Sequence, residues 1–280
     1  MSQQLEQDEC TFLRKEISRL RSKLNILATP LDLLLKRRGF PIFAKGPGED
    51  LLIPPQKYIS GFYAMLGKYS FRLFLRDIIK HQDFFTLPMV TRYATADVTE
   101  GYIKYLRSVR LIRKNRRGYE LSRQPVKSFG ETLEWYIAEV FRREFSAEAV
   151  WGVKFKGRKT GGDYDVISRM DGVICYAEVK SSPPRQIYNS EIAAFLDRVA
   201  DLAPEIAIFL MDTELRMKDK IVPMFEAELA RRGKGTQTVE RIEKELFHRG
   251  DRIYIINAKD SISGNLRTVV NRYFRGDHGL

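Results

Sequence analysis

Residues 162–180 read GDYDVISRMDGVICYAEVK, and this stretch decides the fold of the chain. Met170-Asp171-Gly172 predicts a tight turn between two apolar strands, because glycine after aspartate favours the backbone of a hairpin turn. Side chains alternate faces along a strand, so Glu178 and Lys180 point the same way and Asp165 can lie opposite them on the paired strand. The sequence therefore predicts two carboxylates and an ammonium at one edge of a sheet, which outlines a site for a metal ion and a phosphate.

The order of these residues resembles that of the PD-(D/E)xK nuclease superfamily, in the form found in restriction endonucleases and archaeal Holliday junction resolvases. Asp165 lies thirteen positions before Glu178-Val179-Lys180, and Gly130-Glu131 at a predicted helix start resembles the first motif of the family. Tyr164 stands where the family pattern has a proline. The likeness covers about residues 128–212 and implies a restriction-endonuclease-like domain with a catalytic set of Glu131, Asp165, Glu178 and Lys180.

The resemblance also implies how these residues act. Asp165, Glu178 and Glu131 would hold Mg²⁺ or Mn²⁺, since hard cations prefer carboxylate oxygens. Such an ion polarises a phosphate and lowers the pKa of a bound water. The backbone carbonyl of Val179 would complete the shell of ligands, and Lys180 would orient the attacking water and offset developing negative charge.

Three alternatives stay open at the level of sequence. Glu134 is a second candidate for the helix carboxylate, and only the glycine before Glu131 favours the latter. Asp163 would replace Asp165 as a ligand if the strand register were different. A plain ion pair between the glutamate and the lysine of the second strand would produce the same pattern without any catalysis.

Composition points to a polyanionic partner. The chain has 280 residues with 48 Lys and Arg against 36 Asp and Glu, a formal net charge of +12. Such a surplus favours binding to nucleic acid. No apolar run reaches the length of a membrane-spanning helix and no signal peptide opens the chain, so we expect no membrane partner. With two cysteines, Cys10 and Cys175, we expect neither a disulfide framework nor a cysteine-ligated zinc, and a cytoplasmic location.

Residues 58–127 predict a winged helix-turn-helix domain. Apolar periodicity indicates helices over residues 70–81, 87–93 and 98–109, and a basic turn inside residues 111–121 predicts the wing. Residues 103–127 contain nine basic residues and one acidic residue. Contacts of this kind to phosphates position a protein on DNA without reading its sequence. Together with a flexible basic loop beside the site, the predicted nucleic-acid contacts are Lys104, Arg107, Arg113, Lys114, Arg116, Arg117, Lys156, Arg158, Lys159 and Arg185.

The remaining segments complete a prediction of three regions. Residues 1–57 form a helix and an irregular linker, and residues 128–280 form an α/β domain with a central mixed sheet flanked by helices, in which residues 236–249 are predicted to be helical. The N-terminal helix carries a heptad seam that predicts either packing on the protein's own body or a homodimer. The seam consists of Leu13, Ile17, Leu20, Leu24, Leu27 and Leu31.

Two functions of different classes fit this pattern. The first is a divalent-metal-dependent DNA endonuclease, which the complete set of acidic and basic site residues favours. The second is a catalytically silent DNA-binding protein, in which a nuclease-like domain is a scaffold and the winged helix binds. The sequence leaves open the structure or sequence of the DNA that would be cut, and the choice between DNA and RNA.

Overall fold

The computed structural model describes residues 28–123, 125–158, 160, 162–233 and 238–276, together with six helical residues nearer the start of the chain: Phe12, Leu13, Glu16, Arg19, Leu20 and Lys23. Of the predicted heptad seam, Leu13 and Leu20 are exposed. Ile17, Leu24 and Leu27 of the seam and Lys159 of the basic loop lie outside the described residues, so the homodimer stays a prediction.

The first half of the chain is mostly helical. Thr95 begins one of its helices, because the threonine hydroxyl accepts a hydrogen bond from the backbone of Val98. The three helices predicted over residues 70–109 are present with slightly different ends, and the basic turn joins two short strands. The elements are α1 (Leu31–Arg37), β1 (Ile42–Ala44), α2 (Ile59–Leu66), α3 (Tyr69–Lys80), α4 (Leu87–Val90), α5 (Ala96–Ser108), β2 (Ile112–Lys114) and β3 (Tyr119–Leu121). Their designation as a winged helix stays a prediction.

The second half alternates helices and strands, as the sequence predicts, with one correction. The elements are α6 (Gly130–Glu144), β4 (Glu148–Phe155), β5 (Tyr164–Met170), β6 (Val173–Lys180), α7 (Asn189–Leu202), β7 (Ile206–Met211), α8 (Ile221–Arg231), β8 (Glu240–Glu243), β9 (Leu246–Arg249), β10 (Ile253–Asn257) and α9 (Ile262–Arg275). The prediction of a helix across residues 236–249 is wrong, because β8 and β9 form a hairpin there. Strand β9 pairs with β10 on its other side, and this tertiary pairing overrides the helical preference of the charged residues.

A mixed sheet of eight strands forms the centre of the molecule, in the order β1-β4-β5-β6-β7-β10-β9-β8. Strands β6, β7 and β10 run parallel to one another, and the other neighbours pair antiparallel. Helices α6 and α9 contribute to the apolar cluster on one face, and α1, α7 and α8 contribute to the cluster on the other. This confirms the predicted mixed sheet flanked by helices. No helix in the described part of the chain is long and apolar enough to span a bilayer.

The early helices share one continuous core with the sheet. Phe71 of α3 and Ile103 of α5 belong to the same buried cluster as Ile137 of α6 and the inner strands. A buried ion pair reinforces this junction, since Arg72 Nε donates to Asp212 Oδ1 at 2.9 Å just beyond the end of β7. Arg76 of α3 also contacts the Asp212 carboxylate. The predicted division near residue 127 stays a prediction.

Candidate active site

The hairpin of β5 and β6 brings the two strand carboxylates together. Its pairs run from Met170↔Val173 to Val166↔Ala177, and the next pair in this register is Asp165 with Glu178. The connecting Asp171 and Gly172 both have positive φ, at 49° and 85°, which suits a two-residue turn between twisted strands. The backbone N–H of Val179 donates to Asp165 Oδ2 at 2.7 Å. The structure thus places Asp165, Glu178 and Lys180 on one strand pair, as the alternation of side chains predicts.

Glu178 is buried and fully engaged. Its Oε1 accepts a hydrogen bond from Lys180 Nζ at 2.8 Å, and its Oε2 accepts one from Arg198 Nη1 at 3.0 Å. The Tyr176 hydroxyl donates to the same Oε2. Lys180 lies 3.6 Å from a carboxylate oxygen of Glu191 as well. A carboxylate that is only 3% exposed requires such partners, because an unpaired buried charge is strongly unfavourable.

Asp165 is held in an environment that disfavours its negative charge. Burial raises the pKa of the Asp165 carboxyl well above its ordinary value, and the nearby Glu178 and Glu134 carboxylates raise it further. Lys180 and the Val179 N–H act in the opposite direction. Closely spaced carboxylates of this kind repel one another unless a proton or a cation lies between them.

The helix carboxylate that acts electrostatically on Asp165 is Glu134 of α6. Burial, followed by the carboxylates of Glu131, Asp163 and Glu178, raises the pKa of Glu134 to about 7, with Lys180 acting in the opposite direction. Glu131 and Glu134 are three residues apart and therefore lie on neighbouring parts of one helix face. The sequence singled out Glu131 because of the preceding glycine. The burial of Glu134 comes from the docking of α6 on β4 and β5, which no local sequence signal reports.

Glu131 lies instead against the segment of residues 45–52, which follows β1. A Cβ added to Gly48 would approach Glu131 Cδ to 2.7 Å and Oε2 to 2.8 Å, so only a glycine permits this contact. The Oε2 atom of Glu131 is buried without a hydrogen-bond partner among the described residues. The segment is fixed at its end by Leu52 N, which donates to Thr132 Oγ1 at 2.9 Å.

The donor chemistry of the site fits a hard divalent cation. Asp165, Glu178 and Glu134 offer carboxylate oxygens, and their mutual repulsion is relieved by a positive ion. In the described part of the chain, no three His, Cys, Asp or Glu side chains converge at coordination spacing. Both oxygens of Glu178 accept a hydrogen bond from a cationic side chain, Oε1 from Lys180 and Oε2 from Arg198. Binding of Mg²⁺ or Mn²⁺ at these residues stays a prediction.

The residues predicted to contact nucleic acid fall into two groups. Arg113 pairs with Glu120 and Lys104 with Glu100. Arg158 donates a hydrogen bond to Asp201 of α7 and lies over the ring of Phe40. Its guanidinium therefore anchors the basic loop to these two residues. Lys104 and Arg113 are exposed despite their ion pairs, and so are the others in the described residues: Arg107, Lys114, Arg116, Arg117, Lys156 and Arg185. Their contact with nucleic acid stays a prediction.

Comparison with solved structures finds distant similarity. No protein-family profile matches the sequence, and no curated protein is significantly similar to it. The structure is similar to that of Can2 from Sulfobacillus thermosulfidooxidans in complex with cyclic tetra-adenylate (cA4), with 12% identity and a TM-score of 0.48 over 86% of this chain. It is also similar to protein VC1899 from Vibrio cholerae, with 13% identity and a TM-score of 0.39 over 79% of this chain. The matched parts are 60% and 53% of those two chains. Similarity at this level assigns no function, so the function proposed below rests on the residues of the site.

Proposed function

We propose that this protein is a divalent-metal-dependent nuclease that hydrolyses phosphodiester bonds in DNA as an endonuclease. The observation that carries the proposal is the juxtaposition of Asp165, Glu178 and Lys180 on one strand pair with Glu134 of α6 beside them. The order of these residues resembles that of the PD-(D/E)xK superfamily. The positive net charge of +12 supports a polyanionic substrate.

Each residue has a role that its surroundings support. When bound, the divalent ion supplies charge neutralisation at the phosphate and a water of lowered pKa. Asp165, Glu178 and Glu134 would hold it through their carboxylate oxygens. The Lys180 ammonium, which lies 2.8 Å from Glu178 Oε1, would orient the attacking water and stabilise the negative charge that develops on the phosphate. The raised pKa of Asp165 means that this carboxyl retains a proton more readily until a cation binds.

The test measures cleavage of plasmid, linear, branched and single-stranded DNA, and of matched RNA, with Mg²⁺ and with Mn²⁺. We expect metal-dependent cutting of DNA by the wild type and loss of cutting in Asp165→Asn and Glu178→Gln, which keep the shape of each side chain. Asp171→Asn is the matched control, because this exposed residue sits in the turn of the same hairpin and has a positive φ that asparagine tolerates. Wild-type rates in the first two variants would overturn the assignment of the site, and cleavage of RNA alone would overturn the choice of DNA.

A catalytically silent DNA-binding protein is the second candidate. The exposed basic residues around the β2–β3 turn favour it, because they would bind phosphates whether or not the site is active. The same experiment separates the two functions. Binding of DNA without cleavage under any metal condition would favour the silent protein.

A further inference from the structure

Arg198 is a half-buried cation of the site that the sequence pattern does not include. It projects from α7, whose apolar side chains Ile192, Phe195 and Val199 fix the helix against the sheet. Its Nη1 donates to Glu178 Oε2 at 3.0 Å, and its side chain is only 12% exposed.

Two further parts of the chain surround the contact between Arg198 and Glu178: Tyr176 of β6 and the loop before β5. The Tyr176 hydroxyl donates to the same Glu178 oxygen, and the Tyr176 ring stacks on Phe195 of α7 with centroids 5.8 Å apart. The loop before β5 also closes on the guanidinium. Gly162 has a φ of +90°, and a Cβ there would lie 2.6 Å from Arg198 Nη2.

These contacts fix the plane of the Glu178 carboxylate. Lys180 engages Oε1 alone, through a flexible stem with three rotatable donors, so it restrains rotation weakly. The planar guanidinium, itself anchored in α7, restrains the other oxygen. Hydrogen bonds to a ligating carboxylate commonly control both its orientation and its affinity for a metal.

We propose that Arg198, together with Tyr176, is a positioning residue that sets the orientation in which Glu178 meets a divalent cation. The inference rests on the proposed function and deepens it, since it assigns to α7 the control of metal affinity at the site. The inference separates geometry from charge, because Arg198→Lys keeps the positive charge and loses the planar guanidinium whose Nη1 donates to Glu178 Oε2.

The experiment measures Mn²⁺ binding by calorimetry and, separately, the kcat and KM of DNA cleavage. We expect Arg198→Lys and Tyr176→Phe each to weaken Mn²⁺ binding by roughly 10–100-fold, while the KM for DNA stays unchanged. Arg232→Lys is the matched control, because Arg232 is a part-buried arginine that pairs with Asp197 and Glu228 away from the site carboxylates. Asp165→Asn removes a proposed ligand and provides the reference for loss of Mn²⁺ binding.

Each result decides a different point. Unchanged Mn²⁺ binding in folded Arg198→Lys and Tyr176→Phe, with an active wild type, would overturn the positioning role and leave the proposed function standing. A raised KM for DNA with unchanged Mn²⁺ binding would make Arg198 a substrate contact and also overturn it. A wild type that neither binds Mn²⁺ nor cuts would overturn the proposed function and the positioning role together. If Arg198→Lys fails to fold, Tyr176→Phe carries the comparison, since it removes a single oxygen.

Discussion

At the scale of single residues, Glu134 and Glu131 offer a direct comparison within one helix turn. Glu134 interacts electrostatically with Asp165 and Glu178, whereas Glu131 lies against Gly48. We therefore expect Glu134→Gln to abolish cleavage as Asp165→Asn does, and Glu131→Gln to retain most of it. Single-turnover cleavage with saturating Mg²⁺ measures both. The reverse result, with only Glu131→Gln inactive, would restore the choice that the sequence alone suggests.

The titration of Glu134 predicts how stability depends on pH without added metal. Because its pKa is raised from 4.5 to about 7, the folded chain holds a proton that the unfolded chain has already lost between these values. The free energy of unfolding should therefore decrease as pH rises across this window, by about 1–3 kcal/mol.

Urea unfolding at several pH values, in wild type and in Glu134→Gln, measures this effect. Between about pH 5 and pH 8, which roughly bound the titration, the variant should lose less stability than the wild type. Added Mg²⁺ should protect the wild type near the higher of these pH values. Parallel curves for the two proteins would contradict the raised pKa.

The sequence predicts the strand residues of the candidate site, and it offers Glu134 as an alternative helix carboxylate without being able to rank it above Glu131. Asp165, Glu178 and Lys180 follow from alternation along two strands joined by a recognisable turn. Arg198 and Glu134 come from helices whose placement depends on docking to the sheet. The contact of Arg198 spans twenty residues of sequence, so no spacing rule reveals it.

At the scale of elements, the segment of residues 45–52 connects the first strand to α6, because the backbone at Gly48 lies close against the Glu131 side chain of that helix. Gly48→Ala should destabilise the protein by only about 0.5–1 kcal/mol, because its Cβ would displace the Glu131 carboxylate, which is the movable end of a flexible side chain. The matched control is Gly101→Ala in α5, where no atom lies within 4 Å of an added Cβ. This control should stabilise the helix by about 0.5–1 kcal/mol. Urea unfolding that shows the same sign for both would contradict the close contact at Gly48.

The β2–β3 hairpin is the element expected to contribute most to salt-sensitive binding. Neutralising its exposed Lys114, Arg116 and Arg117 should reduce the slope of log affinity against log salt by up to about 0.9 for each phosphate that the protein no longer neutralises. Neutralising the exposed Arg216, Arg267 and Arg275 removes the same charge elsewhere and serves as the control. Equal slopes for the two triple variants would show that net charge, and not the hairpin, determines binding.

Most elements could be predicted because their apolar periodicity agrees with their final packing. The hairpin of β8 and β9 could not, since Glu, Arg and Lys dominate its sequence and favour a helix. Leu246, Phe247 and His248 are buried there because β9 lies between two other strands. Strand β1 could not be predicted from its local sequence either, because its three residues form a strand only by pairing with β4.

At the scale of the whole molecule, the continuous core and the buried pair of Arg72 with Asp212 predict cooperative unfolding. The carboxylate of Asp212 is 0% exposed and neutralises charge from two arginines of α3. Asp212→Asn should cost about 3–5 kcal/mol, because it leaves the buried Arg72 guanidinium without its partner.

Hydrogen exchange of the amides in α3 and β7 reports on both sides of this junction. In the wild type they should open with similar free energies, and Asp212→Asn should lower both values together. Asp219→Asn is the control, since its ion pair with Arg216 is exposed and contributes little. Protection that falls in α3 alone would show that the two parts of the chain unfold independently.

The two outer strands of the sheet also determine how the protein behaves at high concentration. An open edge offers unpaired backbone groups to another chain, which is the usual route to fibrous aggregates. Here β1 is limited to three residues between Pro41 and Pro47 and has an irregular register, while β8 exposes Glu240, Arg241 and Glu243. Proline and charged side chains both disfavour the addition of a further strand. An eight-stranded sheet that is open at both ends can therefore stay dispersed in a crowded solution.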